Sequence, residues 1–232
     1  MYFGYYPFWD TTYILVVIGA IISMIASARV KSTFAKYDKV RARSSLTGAR
    51  AAEMILRNHG IYDVEVRHIH GELTDCYVPS KKVLNLSDST YNSTSIAAIG
   101  VAAHECGHAV QHAEGYAPLK LSNMIHPACA LGSSLAMPLL IIGIIMSMPF
   151  LIDFGILLFL LAVIFQVITL PVEYNASNRA LATLGDSGML DEEELVGTKK
   201  VLRAAGLTYV AALAASLLSL LRLVLLANRN RD

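Results

Sequence analysis

Four stretches of this chain are each long and apolar enough to cross a lipid bilayer, and that confines it to a bundle of membrane-spanning helices with whatever the remaining segments add. They run from about Thr12 to Ala28, Ala128 to Met148, Leu151 to Leu170 and Leu207 to Ala227. In hydrocarbon every backbone N–H and C=O must be satisfied within the protein, and a helix does this segment by segment. Composition agrees: 55% of the 232 residues are apolar and 16% charged, too apolar a balance for an ordinary soluble domain. A net charge of +1 leaves no electrostatic footprint for nucleic acid, so none is expected as a partner. Cys76, Cys106 and Cys129 show no paired spacing, which suits reduced thiols in a cytosolic compartment better than a disulfide framework.

The first apolar run reads as a retained anchor. Met1 to Asp10 holds no basic residue, and no small-residue cleavage site follows the run. The second and third runs are joined at Pro149 and Phe150, which predicts a tight transmembrane hairpin. Arg29, Lys31, Lys36, Lys39, Arg41 and Arg43 follow the first span, whereas only Asp10 precedes it. The positive-inside rule therefore puts the N-terminus outside and the following region in the cytoplasm of a multi-pass protein. The fourth run contains Arg222 and is followed by Arg229 and Arg231; it either spans, against that rule, or lies in the interface.

Between the first two spans the chain is polar. Leu46 to Asn58 has helical periodicity and stops before Gly60. Val64 to Ile69 alternates like a strand, and a turn near Gly71 leads to a second extended stretch, Cys76 to Leu86. Pro79 interrupts that stretch, which suits an edge strand. Ser93 to Ala113 reads as a helix with Ser93 or Ser95 as N-cap and Gly115 beyond its end. The fold class expected is mainly α with a small β-sheet.

That last helix carries His104-Glu105-Cys106-Gly107-His108, an H-E-x-x-H motif. Residues i and i+4 share a helix face, so both imidazoles can reach one ion, normally Zn2+, one per chain. Glu105 then serves as general base toward a water that zinc acidifies. A chance match in a chain with 7 His should occur in roughly one chain in a hundred or fewer. The extended pattern H-E-x-x-H-x-x-G-x-x-H fails, because Gln111 and Glu114 stand at its glycine and last histidine. His112 drifts off the ligand face; it either hydrogen-bonds a ligand or packs at the surface. The best third ligand is Glu173, just after the third span in LPVEYNASNRA, where Pro171 suits a new helix or a break. Asp186, Asp191 and Glu192 to Glu194 lie beyond a glycine-containing turn and read as the acidic start of a solvated helix. Cys106, two residues from His104, reads as a small packed residue.

LTGARAAEMIL, GELTDCYVPSKKVLNLS, AAHECGHAVQH and LPVEYNASNRA stand in this order along the chain. In these blocks the sequence resembles the bacterial neutral zinc metallopeptidases of the YugP-like kind, distantly similar to HtpX-type membrane proteases. The resemblance implies a cytoplasmic, gluzincin-like domain with His104, His108 and Glu173 on zinc and Glu105 as base. Ser177 and Arg179 fall in the same block as supporting candidates beside His112. One departure is Cys76, where the family commonly has histidine. The organisation expected is a membrane anchor at 1–29 and a cytoplasmic part carrying the motif at 30–127. A transmembrane hairpin follows at 128–170, then cytoplasmic helices with the third ligand at 171–206. A hydrophobic helix with a basic tail closes the chain at 207–232.

The expected activity is endopeptidase action at the cytoplasmic face of the cell membrane, on membrane proteins or their cytoplasmic segments. An extended peptide would add to an edge strand around Val83 to Leu86. Tyr116, His112, His126 and Arg179 are candidates for the oxyanion donor. The alternative is a non-proteolytic membrane protein with a structural or regulatory zinc, but such a zinc normally has four protein ligands and only three are found. A transporter is disfavoured, since the second and third spans hold little polarity beyond Gln166 and a few serines. Nothing in the sequence fixes the oligomeric state.

Overall fold

The computed structural model of the protein describes residues 11–229; Asp10 and Arg231, used above to argue orientation, lie outside the described residues. The elements are α1 (Tyr13–Tyr37), α2 (Gly48–Asn58), β1 (Glu65–His68), β2 (Cys76–Val78), β3 (Val83–Leu86), α3 (Ile96–Ala113), α4 (Ala117–Ile145), α5 (Pro149–Asp186) and α6 (Glu192–Arg229). The chain is mainly helical with a small mixed sheet, and α1, α4, α5 and α6 are each long and apolar enough to cross a membrane.

These helices outrun the apolar stretches that announced them. Pro171 lies inside α5 and neither ends nor restarts it, and α4 contains Pro127 and Pro138. A proline in a helix removes one bond and costs ~3 kcal/mol, so tertiary contacts must hold α5 beyond that point. One is visible: buried Gln111 on α3 donates to the Val172 carbonyl at 2.8 Å and to Asn175 Oδ1 at 2.9 Å. The link between α4 and α5 is not Pro149–Phe150 but the residues before them, with Ser147 at φ 53°. Pro149 opens α5, where its missing N–H costs nothing.

The chain forms two compact units. One comprises the residues up to Ser27, Leu121–Ile168 and those from Thr208 onward; the other comprises Ala28–Lys120 and Thr169–Leu207. The first holds the apolar parts of the four long helices, with Leu140, Ile152, Leu223 and Ala227 clustered at its core.

The second unit is built around α3. Ile99, Cys106 and Val110 of α3 are buried with Ile55 of α2, Leu84 and Leu86 of β3, and Leu184 of α5. Ser95 caps α3, accepting from the Ala98 N–H at 3.0 Å while its hydroxyl donates to Asp38 at 2.8 Å. Thr47 caps α2 through the Arg50 N–H at 3.2 Å. The acidic run that opens α6 is not wholly solvated. Asp191 and Glu194 cap one another reciprocally at 2.9 Å, and Glu194 is buried and also accepts from the Arg43 N–H at 2.7 Å.

The sheet has the order β1-β3-β2, with β1 parallel and β2 antiparallel to β3. Cys76 to Leu86 is thus a hairpin whose turn takes Pro79, and Val83–Leu86 is the central strand. Both of its sides are paired, so it cannot receive a substrate strand, contrary to the sequence-based expectation. The edge beside α3 belongs to β2, where Tyr77 opposes Leu84.

Candidate metal centre

The buried side of α3 packs into the core and leaves His104 and His108 on the side turned to α5. Cys106 is fully buried with its thiol 3.6 Å from the Ala52 carbonyl, away from the ligand face. Gly107 lets α5 approach: a Cβ there would stand 2.6 Å from the Ala176 carbonyl oxygen. That close contact sets Glu173, one turn earlier on α5, opposite the two histidines.

Glu173 Oε2 lies 3.3 Å from His104 Nε2 and 3.6 Å from His108 Nε2. Among the described residues, these three side chains alone offer a set of His, Cys, Asp or Glu donor atoms all within 4.8 Å of one another. Donors about 2 Å from a tetrahedral ion stand roughly 3.3 Å apart, so the spacing fits zinc. Glu173 Oε2 is buried and has no hydrogen-bond partner among the described residues. A buried carboxylate oxygen without a partner is costly, and a cation between it and the imidazoles would supply one. A zinc ion held by these three side chains would keep room for a non-protein ligand, as catalytic zinc sites do.

The electrostatics favour a cation. Burial raises the carboxyl of Glu173, but the adjacent imidazoles of His104 and His108 outweigh it and bring the pKa down to about 2. Burial pushes His108 down, yet Glu173 and Glu105 together bring it up to about 9. An entering metal ion would replace that imidazole proton, so binding is coupled to proton release.

Outer partners fix the rings. The Gln111 amide NH2 is committed to Val172 and Asn175, so its Oε1 accepts from His108 Nδ1 at 3.0 Å. That assigns the proton of neutral His108 to Nδ1 and leaves the Nε2 lone pair facing Glu173. Ser177 Oγ stands 3.1 Å from His104 Nδ1. Arg179 is farther out, pairing with Glu114 at 2.7 Å and donating to Asn175 at 2.7 Å. His112 Nδ1 meets the Tyr77 hydroxyl at 2.8 Å, and the Tyr77 N–H donates to Glu105 Oε2 at 2.9 Å. His126 sits in the membrane-type unit, its ring 5.5 Å from that of Phe165. Cys76 is exposed on β2 with its sulfur 3.6 Å from the Asn85 amide.

The profile of a family described as "Putative neutral zinc metallopeptidase" matches residues 12–228. The chain belongs to this family. A Bacillus subtilis (strain 168) protein named "Putative membrane protease YugP" is 46% identical over 221 residues, which are 95% of this chain and 98% of that one. No solved structure matches.

Three residues of this zinc metallopeptidase family member escape a reading of sequence alone: Tyr77, Gln111 and Asn175. A glutamine three residues past a candidate ligand histidine is a usable signal, because one helical turn lets its amide reach that ring. Gln111→Leu should weaken zinc affinity by about 10–100-fold, the usual effect of removing an outer partner of a ligand. It should also cost about 1–3 kcal/mol for the stranded Val172 and Asn175 groups. Zinc titration and thermal unfolding of purified protein check both; unchanged affinity would show that Gln111 does not orient His108.

Proposed function

We propose that the protein is a membrane-embedded, zinc-dependent endopeptidase of gluzincin type, with His104, His108 and Glu173 as ligands and Glu105 as general base. The observation that carries this reading is the orphaned Glu173 oxygen facing two imidazole nitrogens. A zinc ion held there would polarise the scissile carbonyl and bring a water molecule toward neutral pKa. Glu105, steadied by the Tyr77 N–H, takes a proton from that water and passes it to the leaving amine. The outer edge of β2, whose Tyr77 N–H is held by Glu105, offers its carbonyl to the substrate main chain, which gives binding with little dependence on side chains. Of the oxyanion candidates, Arg179 is committed to Glu114 and Asn175, whereas His112 joins the Tyr77 hydroxyl. We assign that pair as the donors.

The substrates proposed are membrane proteins or their cytoplasmic segments. The basic residues from Arg29 to Arg43 support a cytoplasmic location of the catalytic unit, and the four apolar helices tie it to the bilayer. Loss of the enzyme without change in the turnover of any membrane protein would refute that assignment.

Metal content tests the centre. Purified wild type should hold close to one zinc per chain, and Glu173→Ala should lose most of it under the same dialysis. Zinc retained in the variant would reject Glu173 as a ligand. Wild type that takes up no zinc even after refilling would reject the enzyme reading.

A further inference from the structure

The membrane-type unit holds a cavity of about 400 Å³, within the range of roughly 300–1,000 Å³ found for ligand pockets. Apolar residues line most of it, among them Leu140 and Ile144 of α4, Phe159 of α5 and Leu226 of α6. Ser219 also lines the wall, but its hydroxyl already donates to the Ala215 carbonyl at 2.9 Å. Among the described residues, Arg222 is the one charged side chain in the lining. Its guanidinium carbon stands 5.3 Å from the centre of the Tyr13 ring, and its buried Nε has no hydrogen-bond partner among the described residues.

Such an arrangement has a direction. Tyr13 is the first residue of α1, Ile144 is next to the last of α4, and Arg222 is near the end of α6. The cation therefore lies at the end of this unit where α1 begins and α4 and α6 finish. Arg222 is seven residues short of the end of α6, roughly 10 Å along the axis, so it sits below the helix tips. A cation at that depth needs a counter-charge, and a cation–π contact satisfies neither its charge nor its Nε–H. A soluble anion would leave the apolar wall unmatched. The complementary ligand has one anionic, hydrogen-bond-accepting head and a long apolar body.

We propose that this cavity is a binding site for an anionic phospholipid, its phosphodiester on Arg222 and an acyl chain running inward along Val16, Met137 and Phe159. Basic pockets between transmembrane helices recognise anionic head groups in this way. The assignment gives Arg222 a role that the positive-inside rule does not, and it is independent of peptide hydrolysis.

Native mass spectrometry of the full chain in detergent, titrated with phosphatidylglycerol or phosphatidylcholine of identical acyl chains, tests it. Wild type should bind one phosphatidylglycerol with at least a tenfold preference. Arg222→Gln should abolish the preference, and Met137→Trp, which fills the inner part of the cavity and keeps the charge, should abolish tight binding of phosphatidylglycerol. Zinc content and helical circular dichroism identify folded variants. Equal binding of the two lipids by wild type would overturn the proposal, as would a preference that survives in either folded variant. Inorganic phosphate in excess should not displace the lipid; displacement would identify a simple anion site and overturn the lipid assignment.

Discussion

Glu105→Gln should keep its zinc at the wild-type level and lose peptide hydrolysis by about 10²–10⁴-fold, the range that general acid–base groups contribute. The carboxylate is not among the three mutually close donor atoms; it is turned to β2, where it accepts from the Tyr77 N–H. An amide has nearly the same shape, and its oxygen still accepts from that N–H, so the fold has no reason to change. What it lacks is basicity, and the proton of the attacking water then has no acceptor. Metal analysis and turnover of a quenched peptide, measured on one preparation, decide the matter. Retained zinc with lost turnover separates a catalytic centre from a structural or regulatory one. Retained turnover would remove Glu105 from the mechanism, and loss of zinc would mean that its carboxylate belongs to the metal site.

How far the sequence reveals this centre depends on the range of each interaction. H-E-x-x-H states its own geometry, because helix pitch alone brings His104 and His108 together. The nearness of Glu173 could be reasoned from topology, since an acid just past a span is placed by that span. Tyr77 could not be found this way. It reaches Glu105 across 28 positions, through a strand edge whose location depends on which strand is central. A proline in Cys76–Leu86 suggested one edge strand, whereas the chain uses it to turn between two. The i,i+3 spacing of His108 and Gln111 is legible, but the burial of Gln111 and its bonds to Val172 and Asn175 are not: polar residues on a helix ordinarily face water, and only the packing of α5 on α3 buries Gln111 and aligns its amide. The same packing carries α5 through Pro171, overriding a local signal that is reliable in an isolated helix.

Gly107→Ala should reduce zinc affinity more than tenfold and cut peptide hydrolysis in proportion, although local propensity argues the other way. In a helix interior alanine is favoured over glycine by about 0.5–1 kcal/mol, so α3 by itself would gain. The obstacle is on α5. The new methyl carbon would lie 2.6 Å from the Ala176 oxygen and 3.1 Å from its carbonyl carbon and Cα. All three are backbone atoms, so no rotamer change relieves the clash and the helices must separate. Overpacking of this kind costs typically 1–3 kcal/mol, which a folded domain survives. The proposed ligand set would not survive it as well, because metal–ligand distances tolerate only about 0.2 Å. Glu173 is one turn before Ala176, and Ser177, which meets His104, is next to it. A shift of α5 therefore moves the proposed ligand and the hydroxyl beside His104 together. Gly132→Ala on α4 is the matched control, since its Cβ would meet only the Leu158 residue at ordinary contact distances, the closest 3.5 Å. It should leave zinc affinity unchanged. If Gly107→Ala also binds zinc like wild type, the separation of α3 and α5 does not control the centre, and Glu173 does not hold the metal from the position seen here.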